Sequence, residues 1–355
     1  MSANSPAISV IIPLYNAKKY IEQAVDSVLD QTFKDVNVLV IDDCSTDGSY
    51  ELVQSRYGDN ERVTLMRNRK NVGPIRNYDI GIFMATGKYV AILDNDDVYL
   101  PNALETLYAL AERQGADVVS SFGFLHANSE DIPRNFSGTF VPEISGTPTN
   151  QITVITPPPE NFQIKLDLYL KGEYGLWCAW NKLYLRRFLL ENNILFTTTG
   201  GDRAFTFKCM LYSQKWIRVP MFFNIYRTYQ STCRKLPTLE RIASMPCSFS
   251  GFAAAFDKIM SEFDFFKENP IYKTLILDYQ ISNWDAMAVS AQYPSSKTLN
   301  PVFVKAVDEQ VTQTFGKHAQ YIGWLYHKYH LMYRRNLELT ARIQQLEAQN
   351  KSTST

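Results

Sequence analysis

Tyr89-Val-Ala-Ile-Leu-Asp94-Asn-Asp96-Asp97 joins a short apolar run to three carboxylates. The apolar run has the length and continuity of a strand buried on both faces, as strands of a parallel sheet are. Open α/β sheets bind their ligands at the carboxyl ends of such strands. The stretch therefore predicts an α/β fold and the place of a polar site within it.

A second acidic cluster follows an earlier apolar run. Residues 36–41 are again strand-like and lead directly into Asp42-Asp43-Cys-Ser-Thr-Asp-Gly48. Further strands are predicted at 8–12, 63–66 and 117–121. Helices are predicted at 21–29, at 49–57, from Pro74 to Gly87 and from Pro101 onward. Strands that alternate with helices predict a mostly parallel sheet with helices on both faces, and both acidic clusters then lie at carboxyl ends of strands.

The periodicity is lost after residue 125. Residues 126–160 contain six prolines, so we predict an irregular segment there. Beyond it we predict helices at 162–170 and from Asp202, a strand at 216–226 and mainly helical structure from 239 onward. A heptad seam near the end, between Leu325 and Leu346, predicts self-association through a short coiled coil. The same seam would also suit a helix that docks on the chain itself or lies on a membrane surface.

Composition limits the class of function. The 355 residues include 36 basic and 36 acidic ones, and this zero formal charge gives no reason to expect nucleic acid as a partner. Five scattered cysteines indicate reduced thiols in a cytosolic compartment. The first seven residues do not resemble a signal peptide, and no apolar run reaches the ~20 residues that span a bilayer. We therefore expect a cytoplasmic protein whose contact with a membrane, if it has one, is peripheral and on the inner face.

Asp94 and Asp96 are candidates for binding a metal ion. Residues i and i+2 of a strand point to the same side, so the two carboxylates can converge on one cation. Mg²⁺ and Mn²⁺ prefer such oxygen ligands and commonly fill their remaining positions with substrate phosphates. The alternative is that these acids are solvated or cap the following segment, as most acids in turns do. Their position at the end of a parallel strand favours the metal site.

Two further features suit a nucleotide. The carboxylates of Asp42-Asp43 could accept hydrogen bonds from a base or a ribose hydroxyl, although an acid here could instead cap the next helix. The stretch 67–77 concentrates positive charge before and within a helix N-terminus, where backbone amides favour phosphate. Arg76 lies in the first helical turn, so we single it out as a phosphate ligand and interpret the rest of the run as solvated surface.

Other nucleotide-binding signatures are absent from the sequence. Pro13-Leu-Tyr-Asn16 follows the first strand in place of G-x-G-x-x-G, and no G-x-x-x-x-G-K-[ST] occurs. These absences disfavour a dehydrogenase and a P-loop kinase. None of the four histidines is near an acidic cluster in the sequence, which disfavours a zinc site or a histidine-based nucleophile.

Five motifs occur together within the first 125 residues. They are Ser9-Val-Ile-Ile-Pro13-Leu-Tyr15-Asn16, Val40-Ile-Asp42-Asp43-Cys-Ser45-Thr46-Asp47, Asn71-Val-Gly73-Pro-Ile-Arg76-Asn77, Thr86-Gly87-Lys-Tyr89 and Leu93-Asp94-Asn-Asp96-Asp97. In their order and spacing they resemble the family 2 glycosyltransferases, which have the GT-A fold and use nucleotide-diphospho-sugars. A looser resemblance continues through 180–184, 201–205 and 226–231.

The resemblance implies roles for individual residues on the donor side. Pro13, Tyr15 and Asp43 would line the site of the nucleotide base, with Tyr15 stacked on a uracil ring and Asp43 bonded to its edge. Asp96 would ligate Mn²⁺ or Mg²⁺. Asp94 would face the ribose or the metal with its water shell.

On the acceptor side, the resemblance implies that Asp202 is the catalytic base. From sequence alone, a cap of the following helix would be the more ordinary role for this residue. Arg227 and Ser231 would lie near the diphosphate or close over it. The family commonly has Glu-Asp where this chain has Gly201-Asp202, so the base is kept and the preceding acid is missing.

The predicted function is that of an inverting glycosyltransferase. A metal-bound diphosphate would leave as Asp202 takes the proton of an acceptor hydroxyl, in a single displacement. We expect a UDP-sugar as donor and a glycan or lipid-linked glycan as acceptor, in the synthesis of a bacterial surface polysaccharide. Residues 1–125 would bind the nucleotide-sugar, 126–236 would form the acceptor side, and 237–355 would be a helical region with a short coiled coil at 325–350.

Two alternatives stay open at this point. A nucleotidyltransferase shares the sheet architecture and an acidic metal site, but it should have a glycine-rich basic signature where Pro13-Leu-Tyr-Asn16 stands. A degenerate, non-catalytic binding or scaffold subunit is suggested by the missing glutamate and the heptad seam. Retention of Asp94, Asp96 and Asp202 argues against the scaffold.

Overall fold

The computed structural model describes residues 5–127, 132, 143–145, 152–158, 160–196, 200–227, 249–277 and 279–280. The chain divides into two compact units, Met1–Lys235 and Leu236–Thr355. The predicted heptad seam between 325 and 350 lies outside the described residues. The roles predicted for 1–125, 126–236 and 237–355 stay predictions.

The chain alternates strands and helices up to residue 127. The strands are β1 (Ile8–Leu14), β2 (Val36–Asp42), β3 (Val63–Arg67), β4 (Tyr89–Ile92), β5 (Val98–Tyr99) and β6 (Val118–Ala127). The helices are α1 (Ile21–Leu29), α2 (Ser49–Tyr57), α3 (Pro74–Met84) and α4 (Ala103–Gln114). Every strand and helix predicted in this part is present. The helix predicted to reach Gly87 ends at Met84, and the two residues of β5 are too few for a periodicity to reveal.

The rest of the first unit is less regular. It contains β7 (Glu143–Ser145), β8 (Thr153–Ile155), α5 (Phe162–Leu170), β9 (Lys182–Leu185), α6 (Arg186–Glu191), α7 (Gly201–Tyr212) and β10 (Trp216–Arg227). Two three-residue strands, β7 and β8, therefore lie within the segment predicted to be irregular. The described part of the second unit contains α8 (Phe249–Ser261), α9 (Asp264–Glu268) and a helical segment at 270–277.

The strands form one mixed sheet, in the order β3-β2-β1-β4-β9-β6-β10-β5, with β7 beside β6 and β8 beside β10. The four strands β3, β2, β1 and β4 are parallel, as predicted. From β9 onward, antiparallel pairs join the parallel pair of β6 and β10. The α/β fold predicted for the chain is confirmed, and its antiparallel pairs arise from the short strands that the sequence pattern could not reveal.

The sheet brings both acidic clusters to the same edge. Asp42 is the last residue of β2, and the amide of Asp43 donates to Leu14 O at 2.8 Å. The amide of Leu93 donates to Ile11 O at 3.0 Å, directly before Asp94. Because β1 pairs with both β2 and β4 in parallel, their carboxyl ends lie side by side. The predicted position of the two clusters is therefore correct.

Helix α3 packs so closely on β1 that one position must be glycine. A Cβ added to Gly81 would lie 2.3 Å from Ile11 Cγ2, a side chain that is fully buried. We expect Gly81→Ala to lower the free energy of unfolding by ~1–3 kcal/mol, as overpacking of a core does. Urea unfolding would measure the change. Phe83→Ala on the exposed face of the same helix is the control, and an equally large loss there would contradict the packing explanation.

Candidate active site

A tight turn after β4 holds three aspartates. Tyr78 Oη on α3 donates to Asp94 Oδ1 at 2.6 Å, and Asn95 Nδ2 donates to Pro13 O at 2.7 Å. Asp97 is completely buried, and its Oδ1 accepts from the amide of Arg227 at 2.8 Å. The turn is therefore tied to α3, to β1 and to the end of β10, and the carboxylates of Asp94 and Asp97 are each held by a hydrogen bond.

The turn concentrates negative charge with little compensation. Burial raises the pKa of Asp94 to about 7, and the charges of Asp96 and Asp202 add to the rise, whereas the Tyr78 bond opposes it. Burial also raises the pKa of Asp96 against the opposing charge of Arg227. The pKa of Asp97 lies well above its ordinary value, through burial and its two acidic neighbours. Such a cluster stabilises a bound cation, because a cation relieves the repulsion.

Arg227 supports this turn from the end of β10. Its Nε donates to Asp96 O at 2.7 Å, and one terminal nitrogen donates to Gln23 Oε1 at 2.6 Å. The guanidinium also lies over the Tyr20 ring, 4.6 Å from its centroid, and the residue is 1% exposed. These contacts favour a role in holding the Asp96-Asp97 backbone. Contact between Arg227 and a diphosphate stays a prediction, and Ser231 lies outside the described residues.

The predicted base pocket combines one exposed and two buried residues. Tyr15 is 50% exposed at the end of β1, as stacking on a base requires, and Pro13 is buried within the strand. Asp43 is buried, and its Oδ2 accepts from the amide of Gly73 at 2.8 Å. Its Oδ1 accepts from the amide of Val72 at 2.8 Å. Asp43 therefore fixes the loop before α3, and its bonding to a base stays a prediction.

The polar residues next to this pocket either bind the start of a helix, form an ion pair or are exposed to solvent. Asp47 Oδ1 accepts from the amide of Ser49 at 2.9 Å, so Asp47, which precedes the N-cap Gly48, binds the first amide of α2. Asp42 is buried and pairs with Arg67 Nε at 3.2 Å. Arg76 is exposed in the first turn of α3, where a phosphate could reach it, and its predicted role stays a prediction.

Asp202 lies on α7, close to the Asp94 turn. Its Oδ2 accepts from the amide of Ala179 at 3.1 Å. Within the described part of the chain, its Oδ1 accepts no hydrogen bond. The charge of Asp202 raises the pKa of both Asp94 and Tyr78, so the three side chains share one electrostatic environment. The structure thus brings Asp202 close to Asp94 and Asp96, although Asp202 follows Asp94 by 108 residues in the sequence.

The sequence model of glycosyl transferase family 2 matches residues 9–189, which is about half of the chain. The chain belongs to this family. The predicted family is therefore confirmed. The matched range includes both acidic clusters, whereas Asp202 lies beyond it.

Two bacterial members of family 2 illustrate the relationship. The GalNAc(5)-diNAcBac-PP-undecaprenol beta-1,3-glucosyltransferase of Campylobacter jejuni is 29% identical over 63% of this chain and 66% of its own length. The putative teichuronic acid biosynthesis glycosyltransferase TuaG of Bacillus subtilis is 31% identical over 49% of this chain and 71% of its own length. The chain spans between 36% and 66% of the length of four curated relatives that it matches.

Solved structures share the fold of this family 2 chain. Residues 1–349 of S. aureus TarS, in complex with UDP-GlcNAc, superpose with a TM-score of 0.61 at 18% identity. The superposition covers 93% of this chain and 92% of the TarS chain. At this identity the likeness concerns the fold alone.

Gly201 departs from the usual family 2 pattern at the start of α7. Its φ is +51°, in the left-handed region that favours glycine, and an added Cβ would meet only Ile75 Cδ1 at 3.9 Å. A glutamate would therefore have space here but would strain the backbone by ~1 kcal/mol. The absence of a glutamate at position 201 is therefore consistent with the left-handed backbone conformation there.

Several residues that position the candidate site were not predicted from the sequence. Tyr78 lies one residue beyond Asn77, where one of the five motifs ends, and Lys182 lies within the looser resemblance at 180–184. Neither residue type indicates metal or base chemistry. Asp79 was missed as well, and its Oδ1 accepts from the amide of Phe196 at 2.8 Å. Contacts of this kind depend on the tertiary fold, so no local sequence pattern predicts them.

Asp79 should make stability depend on pH. Burial raises its pKa from 3.8 to about 6, and the Phe196 bond and the charge of Arg76 only partly oppose the rise. The folded protein binds this proton more tightly than the unfolded chain does. The contribution of Asp79 to the free energy of unfolding is therefore complete below pH 4 and is lost as the pH rises through 6. We expect the free energy of unfolding of Asp79→Asn to rise relative to that of the wild type by up to ~3 kcal/mol between pH 4 and 7.

Urea unfolding of both proteins across that range measures the difference. The exposed Asp59→Asn is the matched control, whose difference from the wild type should stay constant with pH. A constant difference for Asp79→Asn as well would contradict the raised pKa.

The described residues contain no group of three or more His, Cys, Asp or Glu side chains arranged to hold a metal ion by themselves. No helix among them has the length and apolarity that a membrane crossing requires.

Proposed function

We propose that this chain is an inverting glycosyltransferase that moves a sugar from a nucleotide diphosphate to a hydroxyl group. The observation that supports the proposal most is the convergence of Asp202 with the Asp94–Asp97 turn at one edge of the sheet. A transferase of this kind needs a site for the anionic leaving group beside a carboxylate for the nucleophile. Both requirements are met by residues from different halves of the first unit.

Asp94 and Asp96 fit a divalent metal ion. Two carboxylates are too few for a complete metal site, which suits Mg²⁺ or Mn²⁺ because these ions keep water and substrate phosphates as ligands. Asp94 Oδ1 accepts from Tyr78, so its Oδ2 is the oxygen that remains for a ligand. When bound, the ion would neutralise the diphosphate and make it a better leaving group.

Asp202 is proposed as the general base. An acceptor hydroxyl is a weak nucleophile until its proton is accepted. Oδ1 of Asp202 accepts no hydrogen bond from the residues that the structure describes, so we assign it this task. The Ala179 amide holds Oδ2, so the carboxylate is oriented before the acceptor arrives. Burial raises the pKa of Asp202, which increases its affinity for the proton. A single carboxylate on the acceptor side is sufficient for one displacement with inversion.

The names of related proteins support a choice of donor and acceptor. TarS, which shares the fold, was solved with UDP and with UDP-GlcNAc, and this supports UDP as the first nucleotide to test. The C. jejuni relative is named for a glycan on undecaprenyl diphosphate, and TuaG for teichuronic acid. These names support a glycan or lipid-linked glycan acceptor in bacterial surface polysaccharide synthesis. The proposed place of action is the cytoplasm, at the inner face of the membrane where such acceptors are presented.

Calorimetry with UDP, in the presence and absence of Mn²⁺ or Mg²⁺, tests the proposal. GDP, CDP and NAD⁺ are the controls for the base and for the diphosphate. We expect UDP to bind selectively and more tightly with the metal, followed by release of UDP from at least one UDP-sugar. Failure of all nucleotides to bind would favour the non-catalytic scaffold, for which the missing glutamate at Gly201 is the supporting observation.

A further inference from the structure

We propose that Lys182 is a positioning residue for Asp202 and acts through the loop at residues 176–181. The inference rests on the proposed function, since it assigns Lys182 a part in orienting the proposed base. Lys182 begins β9 and is 1% exposed, yet among the described residues its ammonium group forms no ion pair at hydrogen-bonding distance. Within this part of the chain, its hydrogen bonds all go to one short loop.

The ammonium group is saturated by this loop. Lys182 Nζ donates to Leu176 O at 2.7 Å, to Cys178 O at 2.5 Å and to Asn181 Oδ1 at 2.6 Å. An ammonium has three protons and no lone pair, so these bonds use its full capacity. The three acceptors surround Ala179, whose amide donates to Asp202 Oδ2. Lys182 therefore fixes the backbone group that orients the base.

Other contacts hold the same loop on its remaining sides. Tyr184 Oη donates to Ala179 O at 3.0 Å, so both polar backbone groups of Ala179 are bonded. Thr206 Oγ1 on α7 lies 2.9 Å from Trp177 O, and the Arg203 guanidinium lies over the Trp177 ring. The loop is thus clamped between β9 and α7, and Lys182 supplies the charge at its centre.

The charge of Lys182 acts on Asp202 directly as well. Burial raises the pKa of Asp202, and the Ala179 amide, Lys182 and Arg203 oppose the rise. Among the residues that the structure describes, the ionisable groups that interact with Asp202 are Lys182, Arg203, Asp94, Tyr78, Cys178 and Tyr184. Of these, only Lys182 and Arg203 are cationic. Removal of Lys182 would therefore loosen the loop and also favour the protonated form of Asp202, which cannot accept a proton.

The test compares Lys182→Met with Lys165→Met. Lys165 is also 1% exposed, and its Nζ donates to Leu211 O at 2.6 Å and to Ser213 O at 2.9 Å. Those carbonyls lie at the far end of α7, about 14 Å from Asp202 at 1.5 Å per residue. Both variants lose a buried lysine that bonds backbone carbonyls, so they are matched for general destabilisation.

Three measurements separate positioning from stability. Hydrogen exchange of the 176–181 peptide should speed up about tenfold in Lys182→Met but not in Lys165→Met, because only the former loosens this loop. The kcat for UDP release from a UDP-sugar should fall ~10²-fold with the Kd for UDP within about twofold. The acid limb of the kcat profile should move to higher pH, since a nearby cation is lost.

The outcomes are distinguishable. Equal loss of kcat in both variants, or loss of UDP affinity equal to the loss of kcat, would overturn the positioning role. If the wild type releases UDP from no UDP-sugar, the proposed function fails, and the exchange of the 176–181 peptide still decides whether Lys182 fixes the loop. If Lys182→Met does not fold, Tyr184→Phe removes one bond of the same loop and should show the same changes at smaller size.

Discussion

Asp202→Asn is expected to abolish transfer while it leaves UDP binding intact. Asparagine keeps an oxygen for the Ala179 amide, so the local structure should survive, but it cannot accept the proton of an acceptor hydroxyl. General bases contribute ~10²–10⁴-fold to rates, and kcat should fall by this factor. Calorimetric Kd values for UDP with Mn²⁺ should stay within about twofold, because the base acts in the transition state.

Asp167→Asn is the matched control for Asp202→Asn. Asp167 is exposed on α5, and the same chemical change there should leave kcat unaltered. A parallel loss of UDP affinity in Asp202→Asn would place the residue in the donor site instead. Unchanged kcat would remove it from the mechanism.

Asp96→Ala is expected to weaken metal-dependent UDP binding. The change removes one of the two carboxylates proposed to hold the ion, and even outer partners of metal ligands change metal affinity by ~10–100-fold. The gain in UDP affinity on addition of Mn²⁺ should therefore shrink by at least about tenfold. Calorimetry at fixed UDP and increasing Mn²⁺ would measure it, with Asp59→Ala at the opposite edge of the sheet as control.

The same substitution should not destabilise the metal-free protein. The charge of Asp96 raises the pKa of both Asp94 and Asp97, so its removal relieves repulsion within a buried turn. Thermal unfolding without metal should occur at an equal or higher temperature than in the wild type. Unchanged metal dependence of UDP binding would exclude Asp96 from the site, and lower thermal stability would contradict the repulsion.

The part of the fold that could be predicted from the sequence is the part where a single strand ends in a single motif. The apolar runs before Asp42 and Asp94 are strands of a parallel sheet, whose periodicity and carboxyl ends can be recognised locally. Their adjacency follows from topology rules for α/β sheets, so the position of the acidic edge could be predicted. Family membership could also be predicted, because five motifs in order carry far more information than one.

The remaining site depends on contacts that are distant in sequence. Both oxygens of Asp43 accept bonds from the loop before α3, a partner that no feature of the Asp42-Asp43 pair indicates, and its bonding to a base stays a prediction. The guanidinium of Arg227 donates to Asp96 O and to Gln23, contacts that its place in the sequence does not indicate, and its contact with a diphosphate stays a prediction. A charged side chain has the same appearance in sequence whether it binds a ligand or the chain's own backbone. The short antiparallel strands β5, β7, β8 and β9 were missed for a related reason, since two to four residues give too few alternations to indicate a strand.

Helix α3 has two adjacent residues that reach different parts of the proposed site. Tyr78 donates to Asp94 on the donor side, and Asp79 accepts from the amide of Phe196, six residues before Asp202. The far end of the same helix is held by Arg186, which donates to Ile82 O and Phe83 O. A displacement of Tyr78 on metal binding would therefore move Asp79 with it. Since linkage between two binding equilibria is reciprocal, we expect the donor to change the affinity for the acceptor by the same factor as the acceptor changes the affinity for the donor.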